Sequence, residues 1–232
     1  MKIKIVLIVC LINTSFLSFC QEIKATFSKE VTSKIELNYI IQLPINQKEK
    51  FPLLIFLHGS GERDTALETV KNHSPFTYQN LIKSPIALLA PHCPKDIQWD
   101  TNAIYELIKD ITSKYNIDKS RIYLTGLSMG GCGTWKLALE HPEFFAAIAP
   151  VCAPVDDYML EDVIKLIDLP IHIYHGALDD HVPPIQAIRM HQELKKINAN
   201  TQIFIFSNDN HNAWDSTYSN PKFYEWILAQ HK

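Results

Sequence analysis

Seven apolar runs of strand length set the first limit on what this chain can become: Tyr39–Leu43, Leu53–Leu57, Ile86–Ala90, Ile122–Thr125, Ala146–Val151, Ile171–Tyr174 and Gln202–Phe206. Most are nearly continuous rather than alternating, which suits strands covered on both faces, as in a parallel sheet flanked by helices. Helical patterns lie between them. Ile104, Leu107, Ile108, Ile111 and Tyr115 form an amphipathic stripe. Ile185, Ile188, Leu194 and Ile197 form another, with Pro183 and Pro184 suited to its start. Gly130–Glu140 reads as a helix ended by Pro142, and Lys222–Ala229 as a last helix after Pro221. Strands alternating with helices predict an α/β fold with a mostly parallel sheet. A length of 232 residues with 47% hydrophobic content fits a single domain with a sizeable core.

The seven glycines fall in three short stretches, each directly after one of these runs. Gly59 and Gly61 lie in HGSG, Gly126, Gly130, Gly131 and Gly133 in GLSMGGCG, and Gly176 in YHGALDD. Glycine is needed where a backbone turns sharply or is closely approached. The pattern predicts three loops at one end of the sheet, built around a site.

In RIYLTGLSMGGCGTW a strand leads into G-x-S-x-G and then a helix. That context predicts a tight strand-to-helix turn that projects Ser128 from the end of the sheet as a nucleophile. The helix behind it aims free N–H groups and its positive dipole end at the site. The alternative is a serine that merely caps a helix. Acyl transfer builds negative charge on a substrate oxygen, and positioned N–H groups stabilise it. Met129, directly after the serine, supplies one such donor. The HGSG loop supplies the second, with Ser60 as first choice and Gly61 as alternate; Glu62 and Arg63 are expected either to brace that loop as an ion pair or to be a solvated surface pair.

An orienting acid and a base should follow the serine in chain order. Asp179 lies a few residues beyond the Ile171–Tyr174 run in IHIYHGALDDHVP, with Asp180 as runner-up, and His211 follows the last run in NDNHNAWD. Of the ten histidines, His231 is in the tail, His141 and His191 lie on helices, His172 lies within a strand, and His58 and His175 sit at strand ends beside glycines. His181 follows the acid too closely to belong to a separate loop. No metal is expected, because HExxH is absent and strand alternation puts His172 and His175 on opposite faces. Trp99 and Trp214 lie in or near the site loops, where they either flank an acyl group or simply pack.

The first twenty residues differ from the rest: a basic MKIK start, a short apolar core, and Ser18-Phe19-Cys20 before Gln21. This is the layout of a secretory signal peptide, leaving residues 21–232 as the folded domain. A second reading is a lipoprotein signal with Cys20 lipidated. Both export the protein, to the periplasm or the medium. A permanent anchor would need roughly 20 apolar residues, and Asn13, Thr14 and Ser15 interrupt this run. Beyond the leader, Cys93, Cys132 and Cys152 either remain thiols or include a Cys93–Cys152 bridge. A net charge of -3 offers no electrostatic case for nucleic acid or an anionic membrane.

The segments PLLIFLHGSGER, APHCP, GLSMGGCGTW, HPEFFAAIAPVC, HGALDDHVP and HNAWD, taken in order, carry a resemblance. From Pro52 onward the chain resembles exported esterases of the phospholipase/carboxylesterase type in the α/β-hydrolase superfamily. It is similar also to the groups called predicted peptidases, feruloyl-esterase-like and polyhydroxybutyrate-depolymerase-like enzymes. The resemblance implies an eight-stranded sheet with helices on both faces, the triad Ser128, Asp179 and His211, and no cofactor. Three positions depart from it: His92 for a frequent Gln, Cys132 for an aromatic, and Asn210 for the Gly that usually precedes the histidine. The leading expectation is a serine carboxylic ester hydrolase acting on small or polysaccharide-linked esters. The rivals are a serine peptidase of the prolyl-oligopeptidase type and a binding module that keeps the fold without the chemistry.

Overall fold

Each apolar run becomes a strand: β1 (Tyr39–Gln42), β2 (Phe51–Leu57), β3 (Ala87–Pro91), β4 (Ile117–Leu127), β5 (Ala147–Val151), β6 (Ile171–Gly176) and β7 (Thr201–Phe206). The computed structural model describes residues 34–232, of which Ile35–Lys232 form one compact unit. The expected leader, Cys20 included, lies outside the described residues. The strands form one sheet in the order β1-β3-β2-β4-β5-β6-β7. Among the described residues only the β1–β3 pair is antiparallel.

The expected count of eight strands is corrected to seven among the described residues. The apolar runs account for all seven, and no further run of strand length lies between residues 34 and 232. The HGSG loop therefore follows the second strand described.

Among the described residues six α-helices accompany the strands, the last two after β7: α1 (Thr101–Lys114), α2 (Met129–Glu140), α3 (Asp157–Glu161), α4 (Ile185–Lys196), α5 (Trp214–Tyr218) and α6 (Pro221–Leu228). The Asp100 side chain accepts the Ala103 N–H to cap α1, and Asn220 caps α6 with Pro221 as its first residue. The five-residue α3 and α5 carry too little periodicity to be read from sequence. Ile104, Ile108 and Ile111 of α1, Leu137 of α2 and Met190 of α4 pack with Leu53, Ile55 and Leu57 on one face of the sheet. Tyr218, Phe223 and Ile227 pack with Leu54 and Phe56 on the other. Adjacent residues of β2 thus feed two different cores, which is why that strand reads as continuously apolar. The chain runs from β2 to β3 on one side and then to β4 on the other. This reversal falls between β2 and β4, and the carboxyl ends of strands at such a reversal are the place where open α/β sheets bind ligands.

Candidate active site

Ser128 stands between β4 and α2 with φ 53° and ψ −116°, a conformation that costs a non-glycine residue roughly 1–3 kcal/mol. Its backbone is held on both sides: its N–H donates to Val151 O at 2.9 Å, and its carbonyl accepts from Cys132 N–H at 3.0 Å. The flanking glycines permit this turn. A Cβ on Gly126 would lie 2.4 Å from Gly130 O, and one on Gly130 would lie 1.9 Å from Leu57 O. No side chain fits between β2, β4 and the start of α2.

Asp179 and His211 converge on that hydroxyl. His211 Nε2 lies 2.9 Å from Ser128 Oγ, and His211 Nδ1 lies 2.8 Å from Asp179 Oδ2. The other carboxylate oxygen, Oδ1, accepts the N–H groups of His181 at 3.0 Å and Val182 at 2.9 Å. Burial favours the neutral acid, but the His211 contact and the two N–H groups outweigh it and hold the Asp179 carboxyl below its ordinary value. The histidine loop lies directly on the acid strand. A Cβ on Gly176 would fall 2.1 Å from Asn210 O, and Leu178 N–H donates to Asp209 O at 2.9 Å. The runner-up acid, Asp180, is exposed and holds His181 Nδ1 at 2.7 Å. The His181 ring stacks on His211 at 5.1 Å.

The HGSG loop is fastened from behind. Cys93 N–H donates to His58 Nε2 at 2.9 Å, so the ring's proton belongs on Nδ1, which lies 2.6 Å from Gly59 O. In a trans peptide the carbonyl and the following N–H point opposite ways. Holding Gly59 O therefore fixes the direction of the Ser60 N–H. Burial lowers the His58 pKa to about 4, so the ring is neutral at physiological pH. Met129, the first residue of α2, carries an N–H with no acceptor within its helix.

Glu62 and Arg63 are not paired with each other. Glu62 Oε2 lies 3.8 Å from His58 Nδ1, whereas Arg63 donates to Ile97 O at 2.9 Å and Ser60 O at 3.4 Å. Arg63 braces the loop through carbonyls instead. The two tryptophans part company. Trp214 stands edge-on to His211 at 5.4 Å, with its buried indole N–H lacking an acceptor among the described residues. Of the two readings open for Trp99, its surroundings match packing: it is 6% exposed, donates to His58 O at 3.1 Å and lies against Gly133.

Cys93, Cys132 and Cys152 are free thiols, so the bridge is absent. Cys152, Asp179 and His211 bring metal-ligating atoms within 4.8 Å of one another. However, burial pushes the Cys152 thiol up to about 12, and Asp179 and His211 are bonded to each other. No helix among the described residues is long and apolar enough to cross a membrane. Sequence reasoning placed His58 and His175 at strand ends but gave neither a role, although both carry the same signal, a histidine directly before a glycine.

The model of the dienelactone hydrolase family matches residues 87–220, more than half of the chain and all three converging side chains. The chain belongs to the dienelactone hydrolase family. Among relatives of this member, the bifunctional acetylxylan esterase/xylanase XynS20E of Neocallimastix patriciarum is 29% identical over 151 residues, covering 60% of this chain and 21% of that protein. A putative carboxymethylenebutenolidase of Escherichia coli O157:H7 is 28% identical, covering 44% of this chain and 39% of its own. The chain thus spans well under two thirds of these relatives. The crystal structure of a thermostable esterase superposes with a TM-score of 0.79 at 30% identity, over 86% of this chain and 60% of that one. Est1E from Butyrivibrio proteoclasticus, at 17% identity and a TM-score of 0.66, shares the fold.

Proposed function

We propose that the protein is a serine hydrolase that cleaves carboxylic esters through an acyl-enzyme. The observation that carries this reading is the 2.9 Å approach of His211 Nε2 to Ser128 Oγ, with Asp179 behind the ring. His211 takes the Ser128 proton as Oγ attacks the ester carbonyl carbon. Asp179 keeps the proton-accepting nitrogen facing the serine and stabilises the imidazolium that forms. The tetrahedral oxyanion is stabilised by the N–H groups of Ser60 and Met129. His211 then protonates the departing alcohol, and afterwards deprotonates the water that attacks the acyl-enzyme. No step calls for a cofactor.

The substrates of this reading are small or polysaccharide-linked esters, such as acetyl or feruloyl groups on plant polymers met by an exported enzyme. The relative XynS20E, an acetylxylan esterase/xylanase by name, supports the acyl class. Export rests on the leader-like first twenty residues.

A fluorophosphonate probe tests the nucleophile. Wild type should be labelled at Ser128, and Ser128→Ala should lose both the label and esterase turnover. A panel of p-nitrophenyl esters, methyl ferulate and peptide amides tests the bond. Faster amide than ester hydrolysis would overturn the assignment to esters.

A further inference from the structure

We infer that His175 is a positioning residue for the acid of the proposed triad, an inference that rests on reading Ser128, Asp179 and His211 as that triad. The His175 side chain is fully buried at the end of β6. Its Nε2 lies 2.8 Å from Val182 O, to which it donates, and 3.1 Å from Asp179 Oδ2. Oδ2 is the oxygen that faces His211 Nδ1. Val182 closes the circuit, because its own N–H donates to Asp179 Oδ1 at 2.9 Å. One imidazole therefore fastens the far end of the acid turn and turns its N–H edge toward the oxygen that orients the base.

Packing does not account for this ring. Its Nδ1 is buried with no partner among the described residues. An imidazole with one nitrogen unsatisfied costs more to bury than an apolar side chain of similar size. Burial also lowers its pKa, so it serves as a neutral N–H donor rather than a charge. A group kept in place against its burial cost, with its single N–H aimed into the acid turn, is placed to hold that turn.

The test compares His175→Gln, whose amide nitrogen reaches the place of Nε2, with His175→Asn, whose amide stops at the place of Nδ1, and with the apolar His175→Leu. The substrate is p-nitrophenyl acetate. Misplacing catalytic groups by about 1 Å costs on the order of a hundredfold in rate. For His175→Leu and His175→Asn, kcat should fall about ten- to a hundredfold with KM within about twofold. His175→Gln should recover at least tenfold of that loss. The downfield proton signal of His211 Nδ1–H should weaken or move in the first two and return in the third. His175→Leu removes the burial cost of the ring but leaves Val182 O without its donor, so its melting curve serves only to show that it folds; if it fails to fold, the Asn/Gln pair alone decides. Equal kcat for Asn and Gln variants that both fold overturns the inference, as does a loss confined to KM. Ser128→Ala runs alongside. If it retains turnover, the triad reading itself falls; if it is inactive while His175→Leu runs at full rate, only the role of His175 falls.

Discussion

The His58 ring is neutral in the fold and protonates readily once the chain opens, so its burial ties stability to pH. Its pKa is lowered, chiefly by burial, to about 4, against roughly 6.5 in an unfolded chain. Because the folded value is the lower one, the unfolded state takes up the proton first. The contribution is complete above pH ~6.5 and is lost as pH falls toward ~4, up to about 3 kcal/mol in all. Denaturant titrations at pH 7 and pH 4.5 should show this drop, and His58→Ala should flatten it by one proton. The same variant frees Gly59 O and with it the aim of the Ser60 N–H. Its kcat should fall on the order of a hundredfold, as expected when an oxyanion donor is lost, with KM nearly unchanged. Equal kcat in the variant and wild type would contradict the role given to this loop.

Elements meet most closely where β2, β4 and α2 touch through backbone alone. Gly130→Ala would drive a methyl group to 1.9 Å from Leu57 O, and neither partner can yield without moving a strand or a helix. A loss of about 3 kcal/mol or more is expected, read as a fall in Tm with activity lost in parallel. Gly61→Ala gives the contrast within the HGSG loop. A Cβ there meets nothing within 4 Å, so its Tm should stay within a degree or two of wild type. The start of α1 offers a milder test. Asp100→Ala removes the bond to Ala103 N–H and should cost about 1 kcal/mol.

Across the whole molecule, the layers were legible in sequence because each strand is buried on both faces and its apolar run is unbroken. Ser128, Asp179 and His211 were legible for a related reason: each lies in a loop that directly follows a strand, and parallel strands deliver those loops to one edge. The strand count was not legible, since the expectation of eight came from resemblance rather than from a run in the chain. The stretch after HGSG was equally opaque, because Ser60–Glu62, Leu67–Lys71 and Gln79–Leu81 are short 3-10 turns without helical periodicity. The role of Trp99 stayed open because a loop position in sequence does not say which side of the loop a ring occupies. The thiols give a prediction at this scale. With Cys93, Cys132 and Cys152 all free, a reducing agent should leave the melting temperature of the folded domain unchanged, and a drop would reveal a bridge.

Trp214, edge-on to the His211 ring, gives the protein a built-in optical gauge. An imidazolium draws electrons from an excited indole, whereas a neutral imidazole does so poorly, so the charge of the proposed base should be written into the emission of its neighbour. Trp214→Phe should remove that component while the glow of Trp99, Trp135 and Trp226 persists. Proton movements during turnover would then be visible in stopped flow without any added dye.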